Sequence, residues 1–280
     1  MYKVLQVKTE LSGKSESTLT NYSRCLAHLA MHYDCSPELL DLEQVESYLY
    51  QIKIEHKTPS ESFFKHTVYG LRYVYKILGI KDKHIVLPSI ESPKKLPVVM
   101  SKQEVKKMLI SPKLLKHRLI LGILYGCGLR RFELLNIELK DLDFDRKMLH
   151  IVQGKGRKDR YVPLAAILIR GLKKYIQAEH PIKWLFNGRS GKQGQPTRYS
   201  PNGVLWIIRE ARKNSGQLKQ ITAHTFRHSY ATHLLEDGLD IMSIKDLLGH
   251  AVIETTLVYL HVAKLEKHRV FSPLDTLYTK

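Results

Sequence analysis

The sequence predicts a mainly α-helical protein of two domains with one small β-hairpin or sheet. Two observations predict this fold class. Apolar residues recur three and four positions apart over most of the chain, which is the spacing of amphipathic helices. This periodicity is interrupted by a proline-containing stretch at residues 81–99 and by two short strand-like runs between residues 141 and 164.

The first domain contains three predicted helices. Their apolar positions are Leu19, Tyr22, Leu26, Leu29 and Tyr33 in the first helix, Val45, Tyr48, Leu49 and Ile52 in the second, and Phe64, Val68, Leu71, Tyr75 and Leu78 in the third. We expect the third helix to stop at Gly79, because glycine is common just beyond helix ends. We expect the first helix to begin only about fifteen residues into the chain.

A linker separates the two predicted domains. Pro88, Pro93 and Pro97 surround Lys94 and Lys95, a composition typical of an extended and fairly stiff segment. We therefore predict a helical N-terminal domain at residues 1–86, a linker at 87–99 and a C-terminal domain at 100–280.

The second domain begins with helices and includes the hairpin. Ser101 and Glu104 have capping-box spacing, and a further apolar helix covers about residues 114–125. Strand-like runs at 148–152 and 160–162 flank the basic segment 154–159, which predicts a β-hairpin with a basic tip. Further helices are expected at 165–179, at 201–213 after Ser200, and as several short helices within 224–262.

The charge of the chain points to a polyanionic partner. Its 45 Lys and Arg residues outnumber its 27 Asp and Glu residues, for a formal net charge of +18. These basic residues run through the whole chain and form neither one juxtamembrane cluster nor one amphipathic helix. This distribution favours nucleic acid over a membrane surface as the partner.

We expect a cytoplasmic protein. The first fifteen residues contain neither a signal-peptide nor a transit-peptide pattern. The most apolar stretch, residues 119–129, is far shorter than the roughly 20 residues that cross a bilayer. Cys25, Cys35 and Cys127 are odd in number and lack Cys-x-x-Cys spacing, which argues against a disulfide framework and a structural zinc site.

Four motifs contain the candidate catalytic residues. They are Gly-Leu-Arg-x-x-Glu-Leu at 128–134, Gly-Lys-Gly-x-Lys-x-Arg at 154–160, His-x-x-Arg-His at 224–228, and Leu-Leu-Gly-His at 247–250 followed nine residues later by Tyr259. In this order the motifs resemble those of the tyrosine site-specific recombinases, or phage integrase family, which includes the Xer-type recombinases. The resemblance covers essentially the whole chain. It implies a two-domain DNA clamp, made of a helical core-binding domain and a catalytic domain.

The resemblance also implies a role for each motif residue. Arg130 and Arg227 are expected to hold the scissile phosphate, and Tyr259 is the expected nucleophile. His224 and His250 complete the expected site.

The chemistry of phosphoryl transfer explains these residue types. Two guanidinium groups neutralise the charge that develops on the phosphate oxygens in the transition state. A phenol with a pKa of about 10 is protonated at neutral pH, so it needs a nearby positive charge or base, which His224 can supply. Lys155, at the hairpin tip, is the expected general acid for the departing 5′-hydroxyl. The covalent intermediate keeps the bond energy, so we expect no ATP, metal or other cofactor.

Two residues near Arg130 have structural roles in this interpretation. We expect Glu133 to cap or orient Arg130. Phe132 stands where many family members have a small residue, and we expect it to alter the packing behind Arg130.

Other neighbouring residues are expected to lie outside the chemistry. His228 and His261 are interpreted as supporting or packing residues. Lys158 and Arg160 are interpreted as exposed hairpin cations that contact phosphates non-specifically.

The family resemblance implies double-stranded DNA at a pair of recombination sites as the partner, bound by a homotetramer or with a second recombinase. The apolar residues of the tail after His261 are expected to pack on a neighbouring protomer. A separate N-terminal arm-binding domain is not expected.

Two other functions remain open. A type IB topoisomerase has a similar site but relaxes supercoils as a monomer; the helical N-terminal domain and the tail argue against it. A non-catalytic DNA-binding regulator would keep the scaffold as a clamp, and the presence of all six site residues argues against that.

Overall fold

The computed structural model describes residues 2–13, 16–55, 61–85, 96–152, 159–188 and 195–263. Two units form the chain, Met1–Lys94 and Lys95–Lys280. Their division falls within the predicted linker 87–99, of which residues 87–95 lie outside the described part of the chain. Each unit has its own apolar core.

The first unit is helical. Its helices are α1 (Tyr2–Leu11), α2 (Glu16–Tyr33), α3 (Leu42–Glu55) and α4 (Glu61–Leu78). Helix α2 packs along α4, with Leu26, Leu29, Val68 and Leu71 fully buried in the core. The three predicted helices of this region are confirmed as α2, α3 and α4.

Helix α1 is a correction, because we expected the first helix only about fifteen residues into the chain. Its Leu5 is buried against the core, whereas Val4, Val7 and Leu11 are exposed. A helix that buries one large apolar side chain lacks the wide apolar stripe on which the prediction depends. The helix is held by its packing against α2 and α4.

The second unit contains helices and a small sheet. Its helices are α5 (Lys102–Ile110), α6 (Leu115–Gly126), α7 (Arg131–Asn136), α8 (Ala166–Glu179), α9 (Pro201–Asn214), α10 (Ala223–Glu236), α11 (Ile241–Leu248) and α12 (Glu254–Leu257), with 3₁₀ turns at Leu139–Asp141 and Val258–His261. Helix α6 is central and packs against α8 and α10. The region predicted as several short helices includes α10, which is a longer helix of 14 residues.

Two predicted helix starts are confirmed. Ser101 Oγ accepts a hydrogen bond from the Glu104 backbone N–H, and the Glu104 carboxylate accepts one from the Ser101 backbone N–H, which completes the capping box of α5. Ser200 caps α9 by accepting a hydrogen bond from the Gly203 N–H, and Pro201 occupies the first helical position.

Among the described residues the sheet has three antiparallel strands, β1 (Leu142–Asp143), β2 (Met148–Ile151) and β3 (Arg160–Pro163), in that spatial order. Leu149 pairs with Val162, and both are buried in the core of this unit. The predicted hairpin is therefore confirmed, and β1 adds a third strand. Residues 153–158, which include Lys155, lie outside the described residues.

Candidate active site

Arg130 lies at a sharp turn between α6 and α7. Gly128 has a φ of +59°, and a Cβ atom at this position would collide with the Tyr230 ring. A side chain at residue 128 would therefore clash as well as strain the backbone. The turn places Arg130 immediately before the first residue of α7, beside the other motif residues.

Glu133 orients Arg130, as predicted from the sequence. Its carboxylate accepts hydrogen bonds from the Arg130 backbone N–H at 2.9 Å and from Arg130 Nη1 at 2.8 Å. The same carboxylate accepts hydrogen bonds from Arg160 Nη1 at 3.1 Å and Nη2 at 2.9 Å. Burial alone would raise the pKa of Glu133, but Arg160 and then Arg130 lower it to about 2.

Arg160 corrects the prediction that it is an exposed phosphate contact. Only 9% of its side chain is exposed, and besides binding Glu133 its Nε donates to the Leu247 carbonyl at 2.8 Å. A buried carboxylate is stable only when it is paired with a cation, and Arg160 is buried because it pairs with Glu133. The sequence contained an indication that Arg160 points inward, because Arg160 and the buried Val162 are two residues apart and so share one face of β3.

Arg227 lies on α10 and is buried, with 3% of its surface exposed. Its Nη1 donates to the Gly128 carbonyl at 2.7 Å and its Nη2 to the Leu248 carbonyl at 2.6 Å. Burial, together with the charge of Arg130, lowers the pKa of Arg227 to about 10. The group is therefore still charged at neutral pH, and it retains N–H groups beyond these two bonds.

His250 follows Gly249, which ends α11 with a φ of +62°. The His250 Nδ1 lies 2.9 Å from Thr256 Oγ1, and Arg130 Nη2 donates to the Gly249 carbonyl at 3.4 Å. Burial and then the charges of Arg227 and Arg130 lower the pKa of His250 to about 3. His250 is thus neutral at pH 7, and its ring is within hydrogen-bond distance of Thr256.

His224 lies at the outer edge of the site. With Arg130 it lines a cavity of about 550 Å³. Partial burial lowers its pKa first, followed by the charges of Arg227 and Arg130. His224 and Arg130 therefore reach solvent while Arg227 is enclosed behind them.

Tyr259 is enclosed, with 1% of its surface exposed. Its hydroxyl lies 3.2 Å from His228 Nδ1, and the two rings are 5.7 Å apart. Burial raises the pKa of Tyr259, although the charges of Arg227 and Arg130 oppose this. Burial and then the neighbouring charges of His224 and Arg227 lower the pKa of His228 to about 4, so the imidazole is neutral at pH 7.

His228 Nδ1 lies within hydrogen-bond distance of the Tyr259 hydroxyl, which agrees with the supporting role expected of His228. That His224 serves the phenol stays a prediction. Residues 224 and 228 lie four apart and share one face of α10.

Phe132 does not pack behind Arg130 as expected. Sixty per cent of its surface is exposed, and the Arg131 guanidinium lies 5.1 Å from the centre of its ring. Leu134 and Leu135, the core-facing residues of α7, are buried, and the position of Phe132 on this helix is directed outward.

The structure thus brings together five of the six predicted site residues, namely Arg130, His224, Arg227, His250 and Tyr259. The sixth, Lys155, and the tail at 264–280 lie outside the described residues. Within the described ranges, no three His, Cys, Asp or Glu side chains are placed to hold a metal ion. None of the helices in those ranges is long and apolar enough to cross a membrane.

Comparison with known proteins identifies the family. The phage integrase family matches residues 98–266. Tyrosine recombinase XerD of Listeria monocytogenes is 33% identical over 282 residues, which cover 92% of each chain. Tyrosine recombinase XerA of Thermococcus onnurineus is 32% identical over 256 residues, covering 90% of this chain and 87% of the relative.

A solved structure supports the fold. The XerH site-specific recombinase, in a post-cleavage complex with its palindromic difH substrate, superposes with a TM-score of 0.70 at 22% identity. The superposition covers 88% of this chain and 76% of XerH. This superposition shows that the two proteins share a fold. The family match and the curated relatives show that this chain belongs to the phage integrase family, the tyrosine recombinases that cleave and rejoin DNA strands.

Proposed function

We propose that this protein exchanges DNA strands at specific sites through a covalent link between Tyr259 and a 3′-phosphate. Arg130 and Arg227 hold the scissile phosphate, His224 and His250 complete its binding site, and Lys155 protonates the leaving group.

One observation carries this proposal, namely the convergence of cations from distant segments around a single carboxylate. Arg130, Arg160 and Arg227 all lie within 3.9 Å of Glu133. Three guanidinium charges and one carboxylate charge leave a net charge of two positive units. Positively charged N–H groups held in advance of substrate suit a phosphodiester whose transition state gains negative charge.

The proposed reaction proceeds in two balanced steps. The Tyr259 oxygen attacks phosphorus and its proton passes to His224, while the bond from phosphorus to the 5′-oxygen breaks and that oxygen takes a proton from Lys155. The 5′-hydroxyl of a partner strand then attacks the same phosphorus and returns a proton to Lys155, while the bond from phosphorus to the Tyr259 oxygen breaks and the phenol takes its proton back from His224. Exchange of two strands in this way gives a Holliday junction. Two transesterifications conserve the number of phosphodiester bonds, so the balance needs neither ATP nor a metal.

Tyr259 must move before it reacts. The Tyr259 side chain is 1% exposed and its hydroxyl is hydrogen-bonded to His228, so this bond must break before the phenol oxygen can attack phosphorus. We infer that the enclosed tyrosine is a resting state, and that substrate binding draws the 3₁₀ turn Val258–His261 toward Arg130 and Arg227.

The proposed partner is double-stranded DNA. The formal net charge of +18 supports a polyanion, and XerH, which shares the fold, was solved with its DNA substrate. Recombination joins two sites with two strands each, so we propose a homotetramer, or an assembly with a second recombinase, acting in the cytoplasm. The predicted core-binding domain, residues 1–86, and catalytic domain, residues 100–280, would clamp the duplex.

The test is to trap the covalent intermediate. The protein is incubated with sheared DNA from its own source, adducts that resist denaturation are isolated, and the attached DNA ends are sequenced for wild type and Tyr259→Phe. We expect adducts at a recurrent inverted repeat for wild type and none for the variant. Adducts at scattered sequences would indicate a topoisomerase, and DNA binding without any adduct would indicate a non-catalytic regulator. Either outcome would overturn the proposal.

A further inference from the structure

A partly apolar cavity lies beside the proposed phosphate site. Its volume is about 550 Å³, within the range of roughly 300–1,000 Å³ of pockets that hold small organic groups. Arg130 and His224 form part of its wall, while Phe132, Val152 and Leu205 contribute apolar surface. We call this the Phe132 cavity. Phosphate binding uses cations and needs no apolar wall, so strand cleavage leaves this surface unexplained.

Phe132 is the most unusual residue of this wall. Its ring is 60% exposed, and Val152 and Leu205 beside it are also exposed. Burial of a phenylalanine ring is favourable, and the exposed ring of Phe132 does not contribute this free energy to the stability of the fold. A ligand that covers the ring would gain it as binding free energy. The Arg131 guanidinium lies over the ring, 5.1 Å from its centre, and adds positive charge to this aromatic surface.

The charge around the cavity selects the class of ligand. Arg130 and Arg131 both line it, and the carboxylate of Glu133 is already bonded to Arg130 and Arg160. The cavity therefore combines an aromatic platform with excess positive charge. A nucleotide, whose flat base is joined to a phosphate, matches both features, and bases of any identity stack on aromatic side chains. An apolar peptide would match only the platform.

We propose that the Phe132 cavity receives the base of a nucleotide adjacent to the scissile phosphate, and that Phe132 stacks on this base once it leaves the duplex. The inference rests on the proposed function, because that function places the scissile phosphate at Arg130, so a base that leaves the duplex beside this phosphate before cleavage lies next to the cavity. The shared wall makes the cavity continuous with the phosphate site, since Arg130 and His224 belong to both. Phe132 is thus a binding residue for the substrate strand.

The experiment measures covalent adduct formation on the DNA site recovered by adduct sequencing. Three substrates are used: the intact site, and two versions with an abasic nucleotide on the 5′ or the 3′ side of the scissile phosphate. The proteins are wild type, Phe132→Ser, Phe132→Tyr and Trp206→Ser. Trp206 is a matched control, because it is a half-exposed aromatic residue of the same unit that does not line the cavity.

On intact DNA we expect Phe132→Ser to react about tenfold more slowly than wild type, in line with the loss of one stacked base. Phe132→Tyr should restore the rate, and Trp206→Ser should react like wild type. On one of the two abasic substrates, wild type and Phe132→Ser should become equal. An unchanged rate for Phe132→Ser, or an equal loss on all three substrates, would overturn the proposal.

A second measurement separates this inference from the proposed function. Adducts of wild type with intact DNA report strand cleavage. Base stacking is measured separately, by the fluorescence of a 2-aminopurine base placed beside the scissile phosphate in DNA that is bound to the Tyr259→Phe protein, which does not cleave. Emission rises when a base leaves the duplex stack. We expect a rise with Tyr259→Phe and a smaller one with Tyr259→Phe/Phe132→Ser. Equal emission from the two proteins would contradict base stacking even if cleavage occurs normally.

Discussion

The two halves of the proposed site differ in how they are held before substrate binds. In the guanidinium half, Arg130, Arg160 and Arg227 are tied to Glu133 or to backbone carbonyls by several short hydrogen bonds. In the tyrosine half, the Tyr259 hydroxyl is held by one described hydrogen bond, 3.2 Å to His228, in a short 3₁₀ turn.

This difference shows which part of the site is able to move. Separating a buried carboxylate from its cations costs about 3–5 kcal/mol, whereas a neutral hydrogen bond contributes about 1 kcal/mol. The cations are therefore in place before the phosphate arrives, which is the arrangement that stabilises a transition state best. The nucleophile therefore has the weaker polar contact, although its release also exposes the apolar surface of the Tyr259 ring.

The largest expected effect comes from Glu133→Gln. The change leaves Arg130, Arg160 and Arg227 without the carboxylate that balances them, so we expect the free energy of unfolding to fall by about 3 kcal/mol. Adduct formation should slow by about 100-fold because Arg130 is no longer oriented. Chemical denaturation and the adduct assay measure the two effects.

Asp237→Asn is the matched control for Glu133→Gln, since it removes the carboxylate of an exposed ion pair with Lys102 in the same unit. It should leave both measurements nearly unchanged. If Glu133→Gln behaved like this control, the carboxylate would not be what assembles the guanidinium half.

A smaller effect is expected from Arg160→Met, which tests whether Arg160 is a positioning residue that acts through Glu133 and Arg130. We expect adduct formation to slow by about tenfold. Arg160→Lys should not restore it, because lysine cannot make the two parallel bonds to the carboxylate.

The double variant Arg130→Ala/Arg160→Met separates positioning from general destabilisation. If Arg160 acts through Arg130, the double variant should be no slower than Arg130→Ala alone, within about twofold. If the fold-reduction in rate of the double variant equalled the product of the two single reductions, Arg160 would have an effect independent of Arg130. Melting temperatures of the same variants report how far each change destabilises the fold.

The smallest effect concerns the tyrosine half and its response to acid. The pKa of His228 is lowered to about 4 in the folded protein, whereas an ordinary histidine has a pKa of about 6.5. As the pH falls from about 6.5 to about 4, the unfolded chain takes up a proton that the folded protein does not, so stability declines in this window. The Glu133 contribution is lost only at lower pH, between about 4.5 and about 2.

His228→Phe should therefore melt at a slightly lower temperature than wild type at pH 7, because the buried Tyr259 phenol loses its partner. Its further loss on acidification to about pH 5 should be smaller than that of wild type. Adduct formation should be unchanged or a few times faster, since the resting state is weakened. His261→Gln, an exposed histidine of the same turn, is the control. A parallel acid response in His228→Phe and wild type would show that His228 does not titrate as inferred.

The sequence predicted those parts of the fold that depend on residues close together in the chain. The apolar spacing of α2 to α4, the capping box of α5 and the Ser200 cap of α9 depend on residues close in the chain, and the structure confirms them. Helix α1 was missed because its helical state depends on docking against α2 and α4 and not on an apolar stripe of its own.

The sequence by itself, through its resemblance to the tyrosine recombinases, predicted which residues make up the site. The motifs identified Arg130, His224, Arg227, His250 and Tyr259, and the three-residue spacing of Glu133 from Arg130 predicted the contact that the structure shows. The motifs and the contact could be identified in this way because residue type and short spacing are properties of the chain itself.

Only the tertiary structure decided how those residues are partnered and which are covered. Arg160 is buried because Glu133, 27 residues away, needs its charge, and Tyr259 is enclosed by His228, 31 residues away. Phe132 is exposed because the core-facing side of α7 is already occupied by Leu134 and Leu135. Burial and pairing depend on the three-dimensional neighbours of a side chain, which short-range sequence patterns do not contain.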